Sequence, residues 1–597
     1  MLALSVAACA SQKVAEQNAD EAIVTTGSRV DQPSVVPPPP PAPPPPPPMQ
    51  DAMARPGRAM EGRMMMRAAP AIGGIVGGNY AQSAPQPMPG TIDRERYENV
   101  EANPVKQVAT DPVSTFSVDV DTASYSNVRR FLNQGQLPPR DAVRIEELIN
   151  YFDYDYRLPR ERTRPFEPTV SMVPSPWAQG RTLLHIGLQG YDIVPATRPP
   201  LNLVLLLDVS GSMSSPDKLP LVIQSMRLLV DQLNARDRIS IVVYAGAAGA
   251  VLEPTPGNEK ARILAALEQL QAGGSTAGGA GLALAYSLAE RNLNRNAVNR
   301  VILATDGDFN VGVADNERLE DFVTRKRETG IYLSVLGFGG GNYNDSLMQT
   351  LAQNGNGVAA YIDTLAEARR VLKDEMASSM FPIANDVKIQ VEFNPGRVAE
   401  YRLIGYETRM LRREDFNNDR VDAGEIGSGH AVTAIYELTA PGGRTLNDPL
   451  RYQQGAQAPP AATGSEIAFL RIRYKLPGAS ESRLIERPIT SADMSASLAA
   501  APEQTRWATA VAGFGQLLRA DPYLDRSYGW SSVIDLAQGA RGSDEFGWRA
   551  EFVQLARAAQ TAQAAAPPVV PSQGEPPTPR PPNRAIRVPP PPPPKSR

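Results

Sequence analysis

Histidine and cysteine are scarce in this chain of 597 residues, which holds two His, His185 and His430, and one Cys, Cys9. Two histidines so far apart in sequence argue against a His-based zinc site and against a Ser-His-Asp triad. A single cysteine permits no intrachain disulfide. No run approaches the ~18 apolar residues a membrane-spanning helix needs. The formal net charge is −4, and no long run of one sign interrupts the central part, so the electrostatic footprint of a nucleic-acid binder is missing. There is also no G-x-x-x-x-G-K-[ST] loop.

Proline, in contrast, is abundant at 57 residues, and much of it lies at the ends. Residues 33–48 are nearly all proline and 579–595 repeat the pattern. Such tracts favour extended polyproline II and carry no large apolar side chains for a core. Residues 1–97 and 562–597 are therefore expected to be Pro-rich, disordered ends. Roughly 460 residues remain, enough for two or three packed units.

Between the ends the hydrophobic rhythm changes twice. Ser114 to Val118 alternates as a half-buried strand does, and helical spacing follows over 127–133 and 144–152. Thr169 to Val173 and Thr182 to Leu188 read as strands. From 199 to 378, apolar runs at 203–207, 239–244, 301–304 and 331–336 alternate with amphipathic segments. Leu219, Val222, Ile223, Met226, Leu229, Val230 and Leu233 form one helical stripe. Continuous apolar runs separated by helices imply a doubly wound parallel α/β sheet. After about 385 the pattern returns to strands, at 387–393, 401–406, 431–438 and 466–474. A helical piece covers about 502–560. The expected organisation is an N-terminal unit (98–165), β strands (166–198), an α/β domain (199–378), a β-rich domain (379–500) and a helical segment (501–561). Strands on either side of the α/β unit suit one sheet system, so the α/β domain is expected as an insertion in a β-sandwich.

The chemistry-bearing residues lie in loops after the apolar runs. The first run ends in Asp208-Val209-Ser210-Gly211-Ser212. Gly273-Gly274-Ser275-Thr276 forms a second loop, and a third run ends in Thr305-Asp306-Gly307-Asp308. Ligands of parallel sheets bind outside the carboxyl ends of the strands, where these loops converge. Asp208, Ser210, Ser212, Thr276 and Asp306 together offer two carboxylates and three hydroxyls. These hard oxygen donors suit Mg²⁺, Mn²⁺ or Ca²⁺.

The set D-x-S-x-S, a distant Thr and a distant Asp after a strand resembles the metal-ion-dependent adhesion site of von Willebrand factor A domains. The wider segments 114–125, 304–312 and 413–425 resemble a bacterial family of such proteins with its own N-terminal domain and a C-terminal domain of unknown function. The resemblance covers about 100 to 560. It implies an α/β fold, a divalent cation held by Asp208, Ser210, Ser212, Thr276 and Asp306, and a protein partner that completes the metal shell with an acidic residue. It names no ligand. It also implies that the last helix of the domain, over 364–376, responds to binding.

The N-terminal Val6-Ala7-Ala8-Cys9 resembles a bacterial lipobox, which implies lipidation at Cys9 and attachment to the cell envelope by a lipid anchor alone. Eight residues precede Cys9 and none is basic, so a longer precursor is expected. Ala10 and Ser11 after the Cys favour the outer membrane. Asp20 to Val30 resembles the segment leading into the plug of TonB-dependent receptors, a candidate TonB contact by strand addition.

An enzyme fits the sequence poorly. Metal-assisted hydrolysis uses an activated water and usually a nearby base; no His is at hand, and Asp308 is the spare carboxylate, read as a solvated loop acid. The alternatives left open are a scaffold that docks through its β or helical region with a structural metal, and an accessory subunit of an ATPase or chelatase-type assembly. Asp415-x-Asn417-x-Asp419 begins like an EF-hand loop, but Arg420 and Ile426 stand where Gly and Glu belong. An acidic surface turn is expected there, and structural roles for His185 and His430.

Overall fold

A computed structural model describes residues 95–565 apart from 100, 119, 162, 195–196, 277, 308, 310–315 and 449–463. Cys9, the 20–30 segment, Asp308 and both proline tracts lie outside the described residues.

The α/β domain is built on a six-stranded sheet in the order Ala359–Ile362, Ile331–Phe338, Val298–Thr305, Leu201–Asp208, Arg238–Tyr244 and Ala248–Pro256. The first five run parallel. Its edge strand Ala248–Pro256 is antiparallel, a departure from the all-parallel expectation. A short hairpin through Gly246 returns the chain beside Arg238–Tyr244, and only Leu252 and Thr255 of this edge are buried, so it lacks the apolar run that marks the buried strands. Every residue of Leu201–Asp208 is buried. Its side chains serve two cores: Leu203, Leu205 and Leu207 pack with Val222, Met226 and Leu229 of the helix Leu219–Gln232 on one face. Val204 and Leu206 pack with Leu282, Tyr286 and Val323 on the other. The continuous apolar run is thus the signature of a strand covered on both sides.

Two antiparallel sheets flank this domain in sequence. One has the order Lys106–Gln107, Glu400–Ile404, Ala431–Thr439, Arg181–Gln189, Thr169–Pro174. The other has Ile426–Gly427, Pro382–Phe393, Glu466–Lys475 and Ser482–Thr490, with Val113–Ser117 also paired to Pro382–Phe393. Ile186, Tyr436 and Leu403 of the first sheet share a core with Phe116, Val391 and Ile472 of the second. Strands before and after the α/β domain are therefore interleaved in one sandwich, and the domain is an insertion in it.

The helices Ala123–Asn133 and Ile145–Asn150 pack with Glu503–Arg519, Trp530–Gly539 and Trp548–Ala565 around Tyr125, Leu148, Trp507, Phe514 and Phe552. The N-terminal unit and the C-terminal helical segment, which sequence patterning separates, are thus one core. The 501–561 segment is three helices, since turns at 520–529 and 540–547 divide it. The last helix of the α/β domain is also divided, into Leu365–Arg369, a π turn Arg370–Asp374 and Met376–Met380. Thr364 caps its start through the Glu367 N–H. The Glu375 N–H reaches back to the Arg370 carbonyl at 2.8 Å, five residues away. The widened turn coincides with the buried Arg370 guanidinium, which lies 3.9 Å from the Tyr151 ring centroid and donates to the Tyr151 carbonyl.

Candidate metal-binding site

Sheet order fixes where a site forms. The chain leaves Leu201–Asp208 toward Arg238–Tyr244 on one side, and Val298–Thr305 pairs on the other, so the connections diverge between these two parallel neighbours. A crevice at this switch point lies outside the carboxyl ends of both strands. Asp208 ends one strand and Asp306 follows the other, and both are fully buried.

Four of the five predicted residues form one hydrogen-bonded chain. The Ser210 N–H donates to Asp208 Oδ1 at 2.9 Å, the Ser210 and Ser212 hydroxyls lie 3.1 Å apart, and the Ser212 hydroxyl bonds Asp306. The second loop seats against the first: Gly211 N–H donates to the Gly274 carbonyl at 3.0 Å and Gly273 N–H to the Val209 carbonyl at 2.8 Å. Thr276 lies two residues on in that loop, half-buried, just before the helix Gly278–Arg291, and outside the side-chain chain just traced. Gly307 has φ +99, and a Cβ there would stand 2.6 Å from Tyr343 Cα and 2.7 Å from the Asn342 carbonyl oxygen. Only glycine lets the third loop lie this close to 342–343.

Residues that sequence reasoning passed over complete the site. Tyr244 OH donates to Asp208 Oδ2 at 3.1 Å, and Thr305 Oγ1 donates to the same oxygen at 3.2 Å. Tyr244 is the register partner of Asp208 on the neighbouring strand, a relation invisible before strand pairing is known. Lys218, at the start of Leu219–Gln232, places Nζ 2.9 Å from Asp306 Oδ2 and 3.1 Å from Asn342 Oδ1. No spacing rule links these positions, 88 residues apart.

The two carboxylates differ electrostatically. Burial pushes the Asp208 carboxyl above its ordinary value, the charge of Asp306 adds to this, and the Ser210 and Tyr244 hydrogen bonds oppose it. Burial also acts upward on Asp306, but Lys218, by hydrogen bond and charge, together with Ser212 and Asn342, outweighs it and holds Asp306 low. The donor set fits a hard divalent cation: two buried carboxylates of like charge face one another across hydroxyls, with one ammonium to offset them. Among the described residues, no group of three or more His, Cys, Asp or Glu gathers as a metal site, so a cation here relies on hydroxyls beside the carboxylates.

The other candidates are placed elsewhere. In the EF-hand-like segment, Asp415 Oδ2 accepts from the Arg412 N–H, and Asp419 pairs with Arg473 and Ser482. His185 is buried, with Nε2 3.2 Å from Thr509 Oγ1, and burial pushes its pKa down to about 3.

The von Willebrand factor type A domain model matches residues 202–374, a von Willebrand factor model matches 91–185, and the model for the C-terminal part of the uncharacterized protein YfbK matches 378–562. The Escherichia coli (strain K12) uncharacterized protein YfbK is 47% identical over 473 residues, covering 78% of this chain and 81% of that protein. The inter-alpha-trypsin inhibitor heavy chain H3 of Mesocricetus auratus is 24% identical, over 42% of this chain and 29% of that protein. A solved von Willebrand factor type A structure from Catenulispora acidiphila aligns over 68% of this chain and 91% of its own, at 15% identity and a TM-score of 0.39. Type A domains typically mediate protein–protein interaction. The chain belongs to the bacterial family of von Willebrand factor type A proteins that includes YfbK.

Proposed function

We propose that this protein is a non-enzymatic, metal-dependent binding protein of the bacterial cell envelope, which holds an acidic group of a partner protein through a divalent cation. The observation that carries the reading is the continuous chain Asp208–Ser210–Ser212–Asp306 at the switch point of the sheet, with the Thr276 loop seated against it. Asp208, Ser210, Ser212, Thr276 and Asp306 would hold Mg²⁺, or Mn²⁺ or Ca²⁺ in its place.

When bound, the cation supplies a positively charged, oxygen-seeking position on the protein surface. The chain's own residues orient and bury the donors. Tyr244 and Thr305 fix the Asp208 carboxylate by its Oδ2, and Lys218 balances the charge of Asp306 at its Oδ2 until a cation takes that place. The hydroxyl donors are neutral, so the set leaves a divalent ion electrophilic toward a partner carboxylate. Neither described histidine lies in this set, which leaves hydrolysis without its usual general base.

The envelope location rests on the lipobox-like Val6-Ala7-Ala8-Cys9, and lipidation at Cys9 would be the anchor. Labelling with a palmitate analogue marks the protein and not Cys9→Ser on this account; equal labelling of the variant contradicts it. For binding, capture of partners from envelope extract is compared between wild type and Thr276→Ala at equal folded fraction, in Mg²⁺ and in EDTA. Capture that is lost with the metal and with Thr276 supports the adhesion reading. Capture unchanged by both supports a scaffold that docks through the sandwich or the helices.

A further inference from the structure

The turn before the last helix builds a groove that the metal-site reading does not use. Phe546 and Trp548 stack with ring centroids 4.8 Å apart and an interplanar angle of 25°, although two residues apart in sequence. Gly547 between them has φ +78, which turns both rings to the same side. Phe546 is 46% exposed, one of few large apolar side chains among the described residues to be so. The pair borders an open groove of about 490 Å³ against the 152–155 turn and the start of Glu503–Arg519.

The walls of this groove are acidic. Asp153, Asp155, Glu503, Asp544 and Glu545 line it, with Arg549 as the cation among them. The Arg549 guanidinium is taken up largely by backbone, donating to the carbonyls of Asp153 and Arg541 at 2.9 and 3.0 Å. Asp544 is spent on capping, accepting from the Arg549 and Ala550 N–H groups. Asp155 and Glu545 stand exposed beside the aromatic pair. A stacked aromatic platform rimmed by free carboxylates is the chemistry that receives a polyproline helix carrying basic residues.

This chain contains such a segment beyond the helix that begins at the groove. Beyond the helix Trp548–Ala565, residues 579–594 are rich in proline, and Arg580, Arg584, Arg587, Lys595 and Arg597 stand against Glu575 alone. Three residues per turn put Pro581, Arg584, Arg587 and Pro590 on one edge of a polyproline II helix. The N-terminal tract 37–48 carries no charge at all, so charge selects the C-terminal one. Reach permits a return. The 18-residue helix spans roughly 27 Å at 1.5 Å per residue, and the residues from Ala565 to Arg584 extend roughly 59 Å at 3.1 Å each.

We propose that residues 579–590 dock back into this groove of the same molecule, proline rings on Phe546 and Trp548 and Arg584 and Arg587 on Asp155 and Glu545. The test is limited trypsin digestion of the full chain, timed by intact mass, at the Arg584–Ala585 and Arg587–Val588 bonds. Wild type is compared with Phe546→Ala and with the double variant Asp155→Asn, Glu545→Gln, all checked for fold by circular dichroism. Docking predicts cleavage at least about tenfold slower in wild type, at a rate independent of protein concentration, with protection lost in high salt. Equal rates in wild type and both variants overturn the proposal. So does protection that grows with protein concentration, which assigns the groove to the tail of a second copy.

Discussion

Lys218 Nζ lies 2.9 Å from Asp306 Oδ2 in a setting where the aspartate is fully buried. It supplies the positive charge that a cation at this site would also supply. Removing it should leave Asp208 and Asp306 as two buried like charges with no offset. Lys218→Met is expected to lower the melting temperature of the metal-free protein and to tighten Mg²⁺ or Mn²⁺ binding by about tenfold, the scale of one charge contact in a partly buried site. Calorimetric titration and thermal melts with and without metal check this; weaker binding in the variant would show that Lys218 organises the donor set and does not compete for it.

Arg129 joins three parts of the chain. It bonds Asp363 and Glu367 beside the last helix of the α/β domain at 2.5 and 2.7 Å, and Glu551 of the final helix at 3.1 Å. Tyr151 OH donates to the same Glu367 oxygen. Arg129→Met would strand carboxylates in a buried position and should cost about 3–5 kcal/mol. Chemical denaturation measures it. A loss below 1 kcal/mol would mean that Asp363 and Glu367 are easily rehydrated.

Buried His185 gives a pH dependence with a definite sign. Unfolded histidine takes up a proton near pH 6.5, whereas burial pushes the folded value down to about 3. Between these values the unfolded chain binds more protons, so stability falls as pH drops. The contribution between pH 7 and pH 5 is about 2 kcal/mol lost, and His185→Gln should remove that part of the slope. Parallel slopes for wild type and variant in urea titrations at both pH values would refute the assignment.

Much of this was legible in the sequence because strong patterns carried it. The run from Leu203 to Leu207 is apolar on both faces, which signals a strand between two helical layers. D-x-S-x-S is local, so its loop could be read without a fold. What stayed hidden was non-local or weakly patterned. Ala248–Pro256 buries only Leu252 and Thr255 at the sheet edge and has no apolar run to announce it. Tyr244 meets Asp208 through strand register, and Lys218 reaches Asp306 across two loops. The sharing of one core by Tyr125 and Trp507, almost 400 residues apart, leaves no trace in either segment's periodicity.

The central claim is that the Asp208–Ser210–Ser212–Asp306 chain and Thr276 hold one divalent cation. The most direct measurement is calorimetric titration of Mg²⁺ or Mn²⁺ into the full chain and into Asp208→Ala, with folded fraction matched by circular dichroism. One site per molecule in wild type and no binding in the variant is the predicted result. Equal affinity in the two, or no binding in the folded wild type, would contradict the account.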